Sequence, residues 1–551
     1  MLSRHPAKAA MELLRELMHR QEQTGFLDDD MLRALSEERR VPLYRLEGLV
    51  SFYPHFRRTP PPRVTLQVCR DISCRMHGSP ERLAELQATF GEQSGVEIED
   101  VSCLGRCDCA PAASINDVPI APLTLTELDA VRQLLASPPA PPASPQTGHN
   151  WRCDPYATPG DQYGTARALV AAGNLREVCI ERLKESGLRG MGGAGFPTGV
   201  KWEIVAGERA TPKYVICNAD ECEPGTFKDR EILASLPHLI IEGMLLAGLT
   251  IGAERGIVYI RHEYGRERRA LEAALESARQ QGVLGGNAAG SGRPFDIEIF
   301  VSPGGYILGE ETALLEALED KRGEPRNKPP YPGQHGLWGQ PTLINNVETF
   351  ALAVSIIHFG TDWWSEQGRD EAEGLKFVCV SGDVTEPGVF EIPLGTTVNE
   401  VIEMAGGMRD GIPLKAFLPG GASTAFLPAA SANTPLTFDA LRAAGSALGT
   451  GAVIVLNEQR DLFDLATSLV RFFRNESCGK CVPCRLGSQT AVELLDGVAD
   501  GQRRASELEI LPELGETLLQ TSICGLGQVA LTPILSMLRH FPDEVPEQSA
   551  S

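Results

Sequence analysis

Two sets of four cysteines, some four hundred residues apart, restrict this chain more than any other feature. The first set is Cys69 and Cys74 in VCRDISC with Cys103 and Cys107 in SCLGRC. The second is Cys478, Cys481 and Cys484 in SCGKCVPC with Cys524 in SICGLG. Iron–sulfur clusters are held by thiolates that converge from such loops. In the second set, two residues between successive cysteines let one tight loop present three sulfurs to one side, and Gly479 and Pro483 suit the turn. That run matches a [4Fe–4S] cluster, with Cys524 as fourth ligand; structural zinc, which also accepts four thiolates, is the rival. The first set forms two close pairs, an arrangement suited to a [2Fe–2S] rhomb between two loops. Cys109 leaves the register open, because it could replace Cys107. Cys153, Cys179, Cys217 and Cys379 have no partner at a ligand spacing and read as small buried side chains.

A chain of 551 residues should form several domains. Its net charge of −22 excludes a nucleic-acid binder, which needs a basic footprint. The opening MLSRHPAKAAMELLREL is a charged amphipathic pattern and not a signal peptide. The longest apolar run, Leu239 to Gly252, contains Glu242 and is too short to span a bilayer, so no direct membrane insertion is expected. A cytoplasmic location follows as an expectation, and there cysteines favour metal binding over disulfides.

The pattern predicts helices at Ala7 to Gln23 and Asp30 to Arg39. Strand Val64 to Val68 runs into Cys69, helix Glu81 to Phe90 follows, and strand Val96 to Asp100 runs towards Cys103. Thr126 is a candidate N-cap for a helix ending near Ala136. SPPAPPASPQTG, with five prolines in Ser137 to Gly148, reads as an extended linker. Beyond it, strands at Tyr214 to Asn218, Gly256 to Ile260 and Asp296 to Val301 alternate with helices at Ile240 to Leu249 and Arg266 to Gln281. Phe377 to Ser381 opens a β-rich stretch with a helix at Val398 to Met404, and Leu462 to His540 is mostly helical. There is no fixed-period repeat. The expected fold class is a multidomain α/β chain. It comprises a helical start with a small α/β cysteine layer (1–136), a linker (137–150), a larger α/β domain (151–370), a ubiquitin-like module (371–455) and a helical segment (456–551).

Between the cysteine sets lies GMGGAGFPTGVKW, residues 190–202. Its literal G-x-G-x-x-G follows a helical pattern (REVCIERLKESGL) where a Rossmann turn would follow a strand, so it fails that context. Glycines there still let backbone amides close on a phosphate, and Lys201 can neutralise it. Strand Tyr214 to Cys217 then runs into NADECEPGTFKDR. Its Asn218, Asp220, Glu221 and Glu223 could hydrogen-bond ribityl or ribose hydroxyls, or form a charged, capped turn.

These two segments, together with YILGEET (306–312), NKPPY (327–331), INNVET (344–349) and SCGKCVPC…C, resemble the NADH-binding flavoprotein subunit of respiratory complex I. The same subunit type serves NAD-dependent molybdenum or tungsten formate dehydrogenases and NAD-reducing hydrogenases. The resemblance covers about Asp154 to Pro542. About Pro6 to Ala136 is similar to the thioredoxin-like [2Fe–2S] subunit that partners it, so the chain resembles a fusion of the two. The resemblance implies a Rossmann-like FMN and NAD(H) domain, an SLBB-type ubiquitin-like domain and a C-terminal helical bundle around [4Fe–4S]. FMN would lie against Gly190, Gly192, Gly193, Lys201, Asn218, Asp220, Cys222, Tyr306, Gly309, Glu310, Asn345, Asn346 and Thr349. NAD(H) would stack near Phe196, with Glu223, Glu311, Lys328 and Tyr331 around its polar parts. Hydride transfer between nicotinamide and flavin needs no protein acid or base, so no catalytic residue is nominated, and Glu223 is expected to act as an electrostatic gate on nucleotide release. Met191 stands where complex I members usually carry arginine, which resembles the formate dehydrogenase branch. The preferred expectation is the NAD+-reducing subunit of a formate dehydrogenase, whose partner bears a molybdenum or tungsten pterin and further iron–sulfur clusters; the alternative is the input subunit of respiratory complex I or the diaphorase subunit of an NAD-reducing hydrogenase.

Overall fold

In the computed structural model, residues 12–120, 128–138 and 150–546 are described. Three sheets organise them. The first holds β1 (Val64–Cys69), β2 (Val96–Val101), β3 (Ala113–Ile115) and β4 (Val118–Ile120) in the order β2-β1-β3-β4. β1 and β2 run parallel in register from Val64↔Val96 to Cys69↔Val101, so both chain segments leave the sheet at the same end. That places the loops after the two strands, and hence the two cysteine pairs, side by side. The candidate N-cap Thr126 and most of the proline-rich linker lie outside the described residues.

The second sheet is fully parallel: β5 (Tyr214–Ala219), β6 (Arg255–Arg261), β7 (Asp296–Ser302) and β8 (Thr342–Asn346), ordered β7-β6-β5-β8. Both faces are covered, as parallel sheets require. Alternate side chains divide between two cores. Val215, Cys217, Val258, Ile260 and Leu343 meet helices Pro237–Ile251 and Val347–Phe359, while Ile216, Ile257, Tyr259, Phe300 and Ile344 face the opposite layer. Chain order runs outward from β5 to β7 and then returns to β8, so β5 and β8 flank a topological switch point, where crevices in such sheets open beyond the strand C-termini.

The third sheet, β9 (Leu375–Gly382), β10 (Gly388–Pro393), β11 (Leu414–Leu418), β12 (Leu427–Pro428) and β13 (Ala452–Asn457), is mixed and ordered β10-β9-β13-β11-β12. Helix Val398–Met404 packs on it, with its start fixed by a capping box of Thr397 and Glu400. β13 ends at Asn457, slightly past the end expected for this module. Helices Leu462–Asn475, Val482–Ala499, Leu511–Thr521, Gly525–Val529 and Thr532–His540 complete the chain.

One expectation is incomplete. A third early helix, Leu43–Val50, was not anticipated; its Leu46, Leu49 and Val50 are buried, but its start has no side-chain cap to mark it in the sequence. The opening helices, which the sequence groups with the first cysteine layer, also reach the parallel sheet. Leu13, Leu14 and Leu17 join the core beside the parallel sheet, and the Asp320 carboxylate accepts the N–H groups of Leu13 and Leu14 at 3.2 and 2.9 Å. Among the described residues no single helix is long and apolar enough to cross a membrane. One pair, Lys228–Ser235 and Pro237–Ile251, reaches that length only across a 94° bend. Nearly every residue of Pro237–Ile251 is buried, and its Glu242 takes hydrogen bonds from Tyr156 and from the Ala166 N–H.

The first cysteine layer is clamped onto the parallel sheet by two buried arginines. Arg230 donates to the Gly105 carbonyl at 2.6 Å and forks onto Asp108, and Arg261 reaches the Cys103 carbonyl at 2.7 Å. Arg230→Ala would leave Asp108 and the Gly105 carbonyl without their donor, and should destabilise the docked layer by about 3–5 kcal/mol. Amide hydrogen exchange across 103–109 should rise well above that of the parent chain; unchanged exchange would show that the arginine does not hold the layer.

Candidate functional site

The C-terminal ends of β5 and β8 bring together several of the residues expected to meet a flavin. Asn218 and Asn346 are the last register partners of the two strands, with Cys217 opposite Asn345 one step earlier. The glycine-rich loop lies between helices Leu175–Glu185 and Thr198–Gly207, which confirms that it is not a Rossmann turn after a strand. Its base is closed by Gly190 N–H to Phe196 O (2.9 Å) and Thr198 N–H to Leu188 O (2.8 Å). A Cβ at Gly192 would stand 3.0 Å from the Asn346 Cβ, so the loop rests directly on the end of β8. Gly193 has φ +116°, and a Cβ built there meets nothing within 4 Å. That is an open stretch of backbone able to approach an anion.

Not every expected residue faces that space. Thr349 is fully buried and accepts the Met191 N–H at 2.9 Å, so it holds the loop from beneath. Asn345 is also buried, with its amide oriented to accept from Trp202 Nε1 and donate to the Ile344 carbonyl. Met191 points into the core. Asn218 Nδ2 donates to the Gly309 carbonyl at 2.8 Å, which joins the end of β5 to the segment around Tyr306. Lys201 Nζ donates to the Ile344 carbonyl at 3.1 Å and lies 6.0 Å from the centre of the Phe196 ring; burial lowers its pKa.

The acidic run after β5 is almost wholly buried. Burial pushes Asp220 up to about 7, and its Oδ1 has no hydrogen-bond partner in the protein. Such an orphaned buried acceptor fits a ligand hydroxyl. Cys222 is half-buried with its sulfur 3.7 Å from Asp220 Oδ2. Burial also raises Glu223, although hydrogen bonds from the Ser423 N–H (2.8 Å) and the Tyr306 hydroxyl (3.0 Å) act the other way. Glu310 caps its helix through Thr312 and Ala313, and Lys328 Nζ bridges Glu310 and Glu311 at 3.0 and 3.2 Å. Phe196 and Tyr331 stand 46% and 57% exposed, two free aromatic faces suited to a planar ligand.

Four residues below the crevice escape a reading of the sequence. Lys228 Nζ contacts Asp229 (2.6 Å), Glu348 (3.0 Å) and the side-chain amide oxygen of Asn346 (3.2 Å), and Lys376 contacts Glu348 at 2.6 Å. Lys228, Asp229 and Glu348 stand within the KDR and VET stretches of the motifs, but nothing local shows that they pair through space.

The cysteines converge as two groups. Cys69 lies against Cys74 and Cys103, and Cys103 and Cys107 sulfurs are 3.5 Å apart. The Cys74 sulfur accepts the Ala112 N–H and the Cys107 sulfur the Gly225 N–H, both at 3.3 Å. Amides aimed at sulfur suit a cluster's charge. Cys109 instead neighbours Asp108, Arg230 and Arg106, so the structure groups Cys107 with the other three. In the second group Cys484 neighbours Cys481 and Cys478, and Cys524 faces Cys478. Cys481 sits at the N-cap of the 18-residue helix Val482–Ala499, whose N-terminal end favours negative charge. Cys153, Cys179, Cys217 and Cys379 are all buried. Cys379 also accepts the Phe227 N–H at 3.0 Å.

The three sites are joined. Glu476, two residues before Cys478, accepts the Ser102 hydroxyl at 2.5 Å and the Tyr306 N–H at 2.9 Å. It touches the segments that carry the first cysteine set, the flavin crevice and the second set.

A crevice for a flavin and a nucleotide between two four-thiol sites defines an NADH-binding FMN and iron–sulfur electron-transfer subunit. Comparisons agree: residues 183–355 match the Nuo51 FMN-binding domain, 464–548 the NADH-ubiquinone oxidoreductase-F iron–sulfur binding region, 1–136 the thioredoxin-like [2Fe–2S] ferredoxin, and 377–426 the SLBB domain. Both four-thiol sets thus fall in segments that match iron–sulfur regions, against the zinc alternative. The F subunit of NADH-quinone oxidoreductase from Rickettsia typhi is 43% identical over 71% of this chain and 92% of its own. The HndC subunit of the NADP-reducing hydrogenase from Solidesulfovibrio fructosivorans is 43% identical over 66% and 74%. A chain in the crystal structure of an NAD+-reducing [NiFe]-hydrogenase in the H2-reduced state superposes with a TM-score of 0.86 at 32% identity, covering 97% of this chain and 93% of that one. The chain belongs to the family of the NADH-quinone oxidoreductase F subunit, and its cofactors are FMN, [4Fe–4S] and [2Fe–2S], with NADH binding.

Gly193→Ala would force a side chain into a conformation at φ +116° that L-residues rarely adopt, at about 1–3 kcal/mol. Purified protein should then carry less FMN per chain, measured by released-flavin fluorescence, with the iron content unchanged.

Proposed function

We propose that this chain exchanges hydride with NAD+/NADH and relays single electrons to a partner subunit that carries out the other half-reaction. The carrying observation is the open Gly193 backbone in a loop that rests, through Gly192, on the end of β8, the register partner of β5. FMN supplies the conversion between a two-electron hydride and single electrons, and the clusters carry those electrons onward. Backbone amides around Gly190, Gly192 and Gly193, with Lys201, would hold its phosphate. Asn218 and Asp220 would hold its hydroxyls, and Asn346, Tyr306, Gly309 and Glu310 frame the rest of the crevice. Phe196 and Tyr331 would receive the nicotinamide nucleotide, with Glu223, Glu311 and Lys328 at its polar groups. Cys69, Cys74, Cys103 and Cys107 would ligate [2Fe–2S]; Cys478, Cys481, Cys484 and Cys524 would ligate [4Fe–4S]. No residue of the chain needs to move a proton for the hydride step.

For the partner, two readings stand. A formate dehydrogenase subunit with a molybdenum or tungsten pterin rests on Met191 and on the fused thioredoxin-like segment. A hydrogenase diaphorase subunit is favoured by the near-complete overlap with the hydrogenase chain, since the Rickettsia typhi F subunit aligns over 71% of this one. In either case the proposed location is the cytoplasm, where NAD(H) is available. Anaerobic purification of the native complex through a tag on this chain, followed by NAD+ reduction with formate or with H2, separates them. Formate-driven NADH supports the first reading, H2-driven NADH the second, and neither, with NADH-dependent dye reduction intact, returns the weight to a complex I input subunit.

Glu223→Gln should change the affinity for NAD+ and NADH unequally, because it removes a negative charge beside the nucleotide. Steady-state KM for both forms checks this, and identical values would remove Glu223 as a gate. Cys524→Ser should abolish the four-iron electron paramagnetic resonance signal and leave the two-iron signal in place.

A further inference from the structure

Asn346 ends β8 and is the N-cap of helix Val347–Phe359, and its side chain is tied down almost completely. Its oxygen accepts the Glu348 N–H at 3.0 Å and Lys228 Nζ at 3.2 Å. Its Nδ2 donates to Asp229 Oδ2 at 2.5 Å. A side-chain amide has two N–H donors and an oxygen with two lone pairs. The oxygen is therefore saturated by the protein, and one N–H is left over: among the described residues Asp229 is the one acceptor that Nδ2 meets. The nitrogen lies against the glycine loop. A Cβ built on Gly192 would stand 3.7 Å from it, and the next residue, Gly193, has the open backbone described above.

The surroundings fix which end of the amide goes where. Turned by 180°, its nitrogen would face Lys228 Nζ and the Glu348 N–H, and its oxygen would face the Asp229 carboxylate. Each contact would then be donor against donor or acceptor against acceptor. Lys228, Asp229 and Glu348 are 1%, 3% and 0% exposed, and in a site so buried an unmade hydrogen bond is costly. Burial alone would lower the Lys228 pKa, but Asp229, Glu348 and Glu221 raise it above the ordinary lysine value, so the lysine keeps its proton. Lys228 and Lys376 balance Asp229 and Glu348, so these four charges sum to zero. Together they orient Asn346 without adding a net charge beside it.

We propose that Asp229, itself held by Lys228, is a positioning residue that locks the Asn346 amide with an N–H towards the FMN phosphate. The inference rests on the reading that the glycine loop holds that phosphate. An N–H at this place attracts an anion, and the amide oxygen would repel it. The lock therefore acts on the phosphate alone and favours FMN over riboflavin, which has the same ring and ribityl chain without the phosphate.

The test uses the full chain with both clusters loaded and its flavin removed, titrated with FMN and with riboflavin while flavin fluorescence is followed. Asp229→Asn keeps the shape and breaks the lock. Lys228 Nζ, 2.6 Å from Asp229 Oδ1, claims the one remaining oxygen and leaves an NH2 facing Asn346 Nδ2. FMN affinity should fall at least about tenfold, as for a lost hydrogen bond to a charged group, with riboflavin affinity unchanged. Long-range charge predicts the opposite sign, because this variant gains one positive charge beneath the phosphate. Adding Lys228→Met frees the oxygen of the new amide for Asn346. The double variant should regain most of the FMN affinity although it loses that positive charge. Asn346→Ser keeps a side-chain oxygen for the helix cap and should lose the preference for FMN. An unchanged preference in Asn346→Ser would overturn the phosphate reading, and the inference with it. A loss in Asn346→Ser with none in Asp229→Asn would overturn the lock alone. Equal weakening of FMN and riboflavin in Asp229→Asn with unchanged cluster spectra, or no recovery in the double variant, would overturn it too.

Discussion

The segment from Asp220 to Arg230 is held from two sides, and the relation among the three redox sites depends on it. On one side Asn218, near the end of β5, donates to the Gly309 carbonyl. On the other, the Gly225 N–H points at the Cys107 sulfur and Arg230 forks onto Asp108. Glu221 braces it from within by accepting the Asp229 and Arg230 N–H groups and the Tyr264 hydroxyl. A single short stretch of backbone therefore joins the end of β5 to the first cysteine set.

Such an arrangement is costly unless every buried charge is partnered. Ion pairs inside a protein contribute little net stability, but removing one partner is expensive. Here Lys228, Asp229, Glu348 and Lys376 form one connected set beneath Asn346. Arg261 spans the Glu221 and Cys103 carbonyls and the Glu263 carboxylate. Of these groups Arg261 is the one that touches the cysteine layer, through the Cys103 carbonyl. Electron transfer benefits from that, because cofactors held on separate modules must keep fixed separations.

Much of this was legible in the sequence. Strands β1, β2, β5, β6 and β7 agree with their expected ranges to within a residue or two, since each is a short β-branched run between turn residues. Helix Val398–Met404 has the limits expected for it. The cysteine spacings and the glycine loop were visible as motifs, because ligand loops are local in sequence. The partners were not visible. Glu476 reads as an ordinary polar residue before a cysteine, and its bonds to Ser102 and Tyr306 span 374 and 170 residues. Thr349 and Asn345 were expected at the flavin and instead support the loop and the strand from behind, a difference of facing that the motif INNVET does not encode.

The sequence by itself determined which chemistry the chain can host: two four-thiol sets, a glycine loop for a phosphate and an acidic run at a strand end. These follow from side-chain type and short spacing, which local backbone geometry translates directly. Only the tertiary structure decided that Cys107 rather than Cys109 lies against Cys103, that the opening helices also reach the parallel sheet, and that the loop after β5 touches the first cysteine set. Those outcomes depend on which buried donors and carboxylates meet across hundreds of residues. Burial makes each such meeting decisive, because a polar group removed from water must find its partner wherever the fold brings one.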